Sequence, residues 1–425
     1  MNVKKCILCI FIMIVTLFGC SNDQDEAEID SALEGNWTGE IAIPSQPLAI
    51  QMYFEQEEGM TGTVSIPVQG VKNFPLSTVE LKDEGHFVLI MEIQDQYITF
   101  EGEVSDDAIS GTFKQNGQSF PFQLTKGEST IATDEEGKFV QIETSYGTLY
   151  GEMETPVGDG PFPVVIIIPG SGPTDRNGNT SAGENNSLKL LAEGLAAEGI
   201  ASVRYDKRGA GKNQISIMPE EDMRFEQFVE DTIDWVELLE KDPSFSKIGI
   251  IGHSQGSLVG MLAAQQTGVS HFISIAGAGR PIDQVLYEQL KDQLSADLLH
   301  ESEEIMKEMK QGKQITEVSP ELQSLFRPSV QPFTASWMEY DRAEEIKKLE
   351  IPTLIINGEN DLQVPVQDAE LLHNAKADSD LLLYESMNHV LKDAPSDREG
   401  NLGTYSNPEL PLTEGVIEGI INFLK

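Results

Sequence analysis

Hydrophobic and polar positions follow two rhythms along the chain. Between about residues 35 and 126, short runs alternate apolar and polar side chains, as in Tyr97-Ile98-Thr99-Phe100-Glu101, with Gly, Pro, Asn and Asp between runs. Alternation with period two sends every second side chain to one face, so these runs predict half-buried strands. The candidates are 37–43, 49–55, 62–66, 87–93, 97–104, 109–113 and 120–124. Seven or eight strands in roughly 90 residues predict a small all-β barrel or sandwich over 35–126. The polar, acidic stretch 127–137 reads as a linker.

From residue 138 the rhythm changes. A hairpin is predicted from 139–143 and 148–154, around Tyr146-Gly147. Short apolar runs of buried-strand type follow at 163–168, 201–205, 248–251, 271–275, 353–356 and 381–384. Helical spacing separates them at 186–198, 224–241, 254–266 and 365–374, and 413–424 closes the chain. Strands alternating with helices over 138–425 predict an α/β unit, a doubly wound and mostly parallel sheet with helices on both faces. Segment 280–348 is charged, helical and without a strand candidate, which predicts an inserted helical cap.

Charge narrows the partners. The chain has 425 residues, with 29 Lys and Arg against 70 Asp and Glu, a net charge of −41. Such a balance repels phosphate backbones and excludes nucleic acid as a partner. It also disfavours anionic lipid surfaces, so any membrane attachment must be mechanical or covalent. The beginning of the chain supplies such an attachment. Lys4 and Lys5 precede a nearly uninterrupted apolar run over 6–18, too short for a spanning helix of ~20 residues but suited to a secretion signal. The run ends in Leu17-Phe18-Gly19-Cys20, which resembles a bacterial lipobox. The expectation is a signal peptide over 1–19, lipidation of Cys20, an acidic tether over 20–34, and a lipid-anchored protein on the extracytoplasmic face of the cell membrane. Cys6 and Cys9 lie within the signal, so the mature chain keeps one cysteine and no disulfide framework. The six histidines are scattered and lack the His-Glu-x-x-His spacing, so no metal is implied.

Candidate chemistry concentrates at Gly252-His253-Ser254-Gln255-Gly256, between a predicted strand and a predicted helix. A Gly-x-Ser-x-Gly at such a junction is the pattern of a nucleophile elbow, which lifts the serine above the carboxyl edge of a sheet. Serine needs a base, and this architecture orders the partners Ser, acid, His along the chain. His389, in the loop after the last core strand, is the candidate base, with His373 as competitor; His253 is placed to prop the turn. Asp361, after strand 353–356, is the candidate acid, with Glu359 as runner-up. An oxyanion hole takes one backbone N–H from Gln255 and one from the Gly-rich loop after 163–168, where Ser171 is the candidate. A dinucleotide reading of that loop fails for want of a third glycine.

The sequence resembles the α/β-hydrolase superfamily, and in particular a bacterial esterase group with a β-rich N-terminal domain. The resemblance rests on Gly-Ser-Gly-Pro-Thr-Asp-Arg-Asn-Gly-Asn at 170–179, on Arg204-Tyr205-Asp206-Lys207-Arg208-Gly209-Ala210-Gly211-Lys212, and on the His-Ser-Gln-Gly elbow. Ile109-Ser110-Gly111-Thr112-Phe113 and Gly117-Gln118-Ser119-Phe120-Pro121 extend it to the N-terminal region, covering nearly all of 35–425. Asn213 departs from it, where relatives often carry Ser. The resemblance implies hydrolysis of small-molecule carboxylic esters with short to medium acyl chains, without a cofactor, by Ser254, Asp361 and His389. A peptidase or amidase of the same fold, and an inert envelope-binding lipoprotein, are the rival readings. The basic stretch 204–212 reads as a structural staple near the site. Oligomeric state is not encoded in any of these patterns.

Overall fold

The computed structural model describes residues 33–425 apart from 44–47, 57–58, 67–70, 83–84, 94–95, 106, 116–117, 128–136, 181–182, 215 and 292. The expected signal peptide, Cys20, most of the tether and most of the linker therefore lie outside the described residues.

Nine antiparallel strands form the N-terminal sheet: β1 (Gly35–Ile41), β2 (Leu48–Gln56), β3 (Met60–Ile66), β4 (Val71–Pro75), β5 (Thr78–Leu81), β6 (His86–Ile93), β7 (Gln96–Ser105), β8 (Ala108–Gln115) and β9 (Gln118–Lys126). Their order is β4-β3-β2-β1-β9-β8-β7-β6-β5. Alternation does the expected work. Along β2, Leu48, Ile50, Met52 and Phe54 are buried and join Trp37, Phe87, Leu89, Phe100 and Phe122 in one core. Trp37 also donates its indole N–H to Leu33 O at 2.7 Å. The expected small all-β barrel or sandwich takes the form of a half-barrel, one nine-stranded antiparallel sheet in which β3 lies near β5. Its edges, β4 and β5, are only five and four residues long.

The second sheet comprises β10 (Lys138–Thr144), β11 (Gly147–Glu154), β12 (Phe162–Ile168), β13 (Ala201–Tyr205), β14 (Phe245–His253), β15 (His271–Ile275), β16 (Thr353–Gly358) and β17 (Asp380–Tyr384). The order is β10-β11-β13-β12-β14-β15-β16-β17; β10 and β11 run antiparallel, and every pairing from β13 to β17 is parallel. Helices are α1 (Ser187–Ala197), α2 (Glu226–Glu240), α3 (Gln255–Ala264), α4 (Ile282–Leu290), α5 (Ala296–Met309), α6 (Gln323–Phe326), α7 (Gln331–Met338), α8 (Arg342–Lys347), α9 (Val366–Ala375), α10 (Arg398–Gly403) and α11 (Val416–Leu424). One face of the sheet packs Val164, Ile166, Val203 and Ile250 against α2 and α3, with α8 and α9 in the same core. The other packs Val165, Ile167, Ile251 and Ile273 against α1 and α11. Coverage of both faces explains why these strands are uninterrupted apolar runs.

Helices α4–α8 occupy one excursion between β15 and β16, with a small core of their own around Ile305, Met306, Met309 and Phe326. Arg280, where the excursion leaves, grips Asp368 of α9 with two parallel bonds, Nε to Oδ1 at 3.0 Å and Nη2 to Oδ2 at 2.7 Å. Arg342, where it returns, donates Nη1 to the Arg280 carbonyl at 2.8 Å. Exit and return are thus tied at one point. Among the described residues no helix is long and apolar enough to cross a membrane, and no cluster of three His, Cys, Asp or Glu could hold a metal.

Candidate active site

The site is built on the carboxyl ends of parallel strands. Strand β14 runs into a sharp turn and α3 begins at Gln255, leaving Ser254 between them with φ 54° and ψ −116°. A non-glycine residue in that region is strained and persists only where its surroundings dictate it. Here they do. The Ser254 N–H donates to Ile275 O at 2.9 Å. A Cβ at Gly252 would lie 2.2 Å from Gly256 O, and one at Gly256 would lie 2.4 Å from Ile168 O, so only glycines let the turn close.

Asp361 follows β16. Its Oδ1 accepts the amides of Gln363 at 2.7 Å and Val364 at 2.9 Å, which fixes the carboxylate. Its Oδ2 accepts from His389 Nδ1 at 2.7 Å, both side chains being buried. A carboxylate on Nδ1 places that proton there and leaves Nε2 with its lone pair. Ser254 and His389 line one pocket together with Gly170, Ser171 and His253. The competitors lie elsewhere: Glu359 is exposed, and His373, on α9, pairs with Ser379 Oγ at 2.9 Å.

His253 holds the base loop. Its Nε2–H donates to the His389 carbonyl at 2.8 Å, with the two rings 4.9 Å apart. Burial, reinforced by the neighbouring His389, pulls the His253 pKa down to about 4.

Ser171 and Gln255 flank the elbow. As the first residue of α3, Gln255 presents an amide without an intrahelical acceptor. The loop carrying Ser171 runs beside it, since a Cβ at Gly170 would touch Ser254 Cβ at 3.4 Å. A residue that sequence reasoning did not single out joins the two. The buried Lys207 Nζ donates to Gly170 O at 3.0 Å and to Gln255 Oε1 at 2.6 Å, and lies 4.1 Å from the centre of the Phe228 ring. Burial pulls its pKa down to about 7.

The rest of stretch 204–212 forms a buried lattice. Arg204 binds Glu152 with both terminal nitrogens at 3.0 Å. Arg176 bridges Glu152 at 2.6 Å and Asp206 at 3.0 Å. Although burial raises the Glu152 pKa, the Arg204 and Arg176 guanidiniums hold it below the usual carboxylate range. Arg208 pairs with Asp231 at 2.6 Å. Asn213 accepts the Tyr150 amide at 2.8 Å and donates to Asp206 O at 2.6 Å, contacts that a serine is too short to make together. In the adjoining loop, burial and then the neighbouring Asp206 push the Asp175 pKa up to about 6.

The chain is similar to known proteins. A protein-family model described as serine aminopeptidase, S33, matches residues 183–393. Esterase EstD of Thermotoga maritima is 28% identical over 256 residues, 60% of this chain. The matched stretch spans 60% of that relative's own length. Among solved structures, Est1E from Butyrivibrio proteoclasticus is 18% identical with a TM-score of 0.45, over 68% of this chain and 99% of its own. The Pyrococcus furiosus esterase Pf2001 is 17% identical with a TM-score of 0.43, over 68% and 92%. The strand order, the elbow, the family match and the curated relative support placing the chain in the α/β-hydrolase superfamily.

Proposed function

We propose that the chain is a serine hydrolase of carboxylic esters with short to medium acyl chains, acting at the cell envelope. What carries the reading is one arrangement: Ser254 in its strained turn shares a pocket with a histidine whose Nδ1 is bound to Asp361. The name of the Thermotoga relative supports an ester as the substrate. In the proposed reaction His389 Nε2 takes the Ser254 proton as Oγ attacks the ester carbonyl. The oxyanion rests on the Ser171 and Gln255 amides. His389 returns the proton to the leaving alcohol, and water then releases the acid by the same route.

Labelling with a fluorophosphonate, followed by peptide mapping, tests the nucleophile: modification of Ser254 is expected. A chain that takes no label and cleaves no ester would instead be a binding protein on a hydrolase fold. The description of the matching family favours a second reading, an aminopeptidase. Turnover of a nitrophenyl ester against an amino-acid anilide separates the two, and the ester is expected to be cleaved faster.

We also propose anchoring through two acyl chains on Cys20, since one chain binds a membrane only marginally and two hold it stably. Mass spectrometry of the mature N-terminus tests this, with a lipidated residue 20 expected. An unmodified residue 20, or cleavage elsewhere, would leave a secreted enzyme.

A further inference from the structure

Two cavities of about 410 Å³ each meet at Ser171. Both fall toward the small end of the usual range for small-molecule sites, roughly 300–1,000 Å³. They differ in what lines them. The first holds Ser254 and His389 and is lined further by Asn185, Gln363, Tyr405 and Ser406 together with the apolar Val390 and Leu402. The second holds the candidate oxyanion residues Ser171 and Gln255 but neither Ser254 nor His389. Its wall is Ile217, Met218, Met223, Phe228, Phe333 and Trp337, from the loop before α2, from α2 itself and from α7 of the excursion.

On the serine-hydrolase reading, the stereochemistry of acyl transfer assigns the two halves of an ester. The oxyanion faces the Ser171 and Gln255 amides. The leaving oxygen must take its proton from His389, so the alcohol extends into the cavity that His389 lines. The acyl group, the remaining substituent on the reacting carbon, stays bonded to Ser254 Oγ and extends on the other side, into the cavity beyond the oxyanion residues. From this partition we infer that the enzyme selects esters of bulky apolar acids, aromatic ones above all, with hydroxyl-bearing alcohols.

The charged groups of the apolar cavity reinforce the inference. Lys207 is engaged by Gly170 and Gln255, Arg208 by Asp231, and Glu220 by Arg327 and Ser329. A polar acid entering there would shed its hydration and meet groups already partnered, whereas an aromatic acid would meet aromatic faces. In the other cavity, Gln363 Nε2 donates to the Tyr405 hydroxyl oxygen at 3.4 Å, which leaves the Tyr405 O–H to donate and the Gln363 amide oxygen to accept, with Ser406 among the same lining residues. These are donors and acceptors spaced for the hydroxyls of a polyol.

Four esters test the partition in the full-length protein: acetyl and 3-phenylpropanoyl esters of ethanol and of glycerol. The expected order places 3-phenylpropanoyl glycerol first, with kcat/KM about tenfold or more above its acetyl counterpart. Equal rates for both acids, or a preference for ethanol over glycerol, would overturn the inference without any variant. Val330→Trp, which places an indole in the apolar cavity, is expected to abolish the preference between acids while the preference between alcohols persists. Gln363→Leu with Ser406→Leu is expected to do the reverse. An acid preference untouched by Val330→Trp would overturn the assignment of that cavity. The reading beneath the inference fails separately: it falls if Ser254 takes no fluorophosphonate, whereas a labelled, active enzyme indifferent to the acid sinks the inference alone.

Discussion

In the N-terminal sheet the strands alternate buried and exposed side chains, and the Lys114–Glu101 ion pair and the His86–Glu103 contact face water. In the C-terminal sheet, by contrast, β13 and β16 are buried along their whole lengths, and Arg204, Asp206, Lys207 and Arg208 are all buried at the end of β13. A sheet covered on one side can shed charge to solvent. A sheet covered on both sides cannot, and each charge at its edge must be met by a partner in fixed geometry. That requirement gives the second sheet its rigid loops, and the candidate site sits among them.

The largest expected break in this comparison is functional. Ser254→Ala should lower ester turnover by several orders of magnitude, up to about 10⁶-fold, with the circular dichroism spectrum unchanged. A variant retaining a tenth of the rate would remove Ser254 from the chemistry. Next comes Asp231→Leu, which leaves the buried Arg208 guanidinium without its carboxylate. A loss of about 3–5 kcal/mol is expected, read from denaturant unfolding of the C-terminal unit. Lys207→Met should lower kcat about 10-fold to 100-fold, because the Gly170 and Gln255 segments would no longer be held together.

Acidification supplies a fourth measurement. A free histidine takes its proton near 6.5, whereas the folded His253 refuses it until about pH 4. Between those values the unfolded chain binds more protons at this site, so the His253 contribution to stability falls as pH falls through the window. Asp175 contributes oppositely, because its raised pKa of about 6 makes the folded state take up its proton first. His253→Asn should remove the His253 contribution, leaving less stability lost on acidification in melts recorded from pH 7 to pH 4. The smallest effect belongs to the exposed sheet. Lys114→Met, which removes the 2.6 Å pair with Glu101, should cost about 0–1 kcal/mol, read from denaturant unfolding of the N-terminal sheet. A cost for Lys114→Met equal to that of Asp231→Leu would erase the distinction between the two sheets.

What could be read from the sequence follows the same divide. Strands β12 to β16 stood out as apolar runs because both of their faces are covered. Strands β4 and β5 did not, since Val71–Pro75 and Thr78–Leu81 are short and half polar. The elbow was legible because its two glycines stand at fixed spacing about Ser254 between a strand and a helix. Only Gly252 is demanded by a contact within a few residues, whereas Gly256 answers to Ile168 of β12. Asp361 and His389 could be picked out because each follows a recognisable strand. The Lys207–Gln255 bond, the Glu152–Arg204 pair and the Asn213–Tyr150 bonds left no local trace. Their partners are 48, 52 and 63 residues apart in sequence, and only the folded sheet brings them together.

The knot of Arg280, Asp368 and Arg342 has an evolutionary meaning. Because the helical excursion departs and rejoins at one place, it is attached like a cassette. A recombination event with breakpoints near residues 280 and 342 would replace α4–α7 as a unit and keep all three candidate catalytic residues in their original frame. Such a graft would inherit a new wall for the apolar cavity, since Arg327, Val330, Phe333 and Trp337 lie between those breakpoints. Lineages carrying this scaffold can therefore diversify what they accept by exchanging one segment, without rediscovering how to cut.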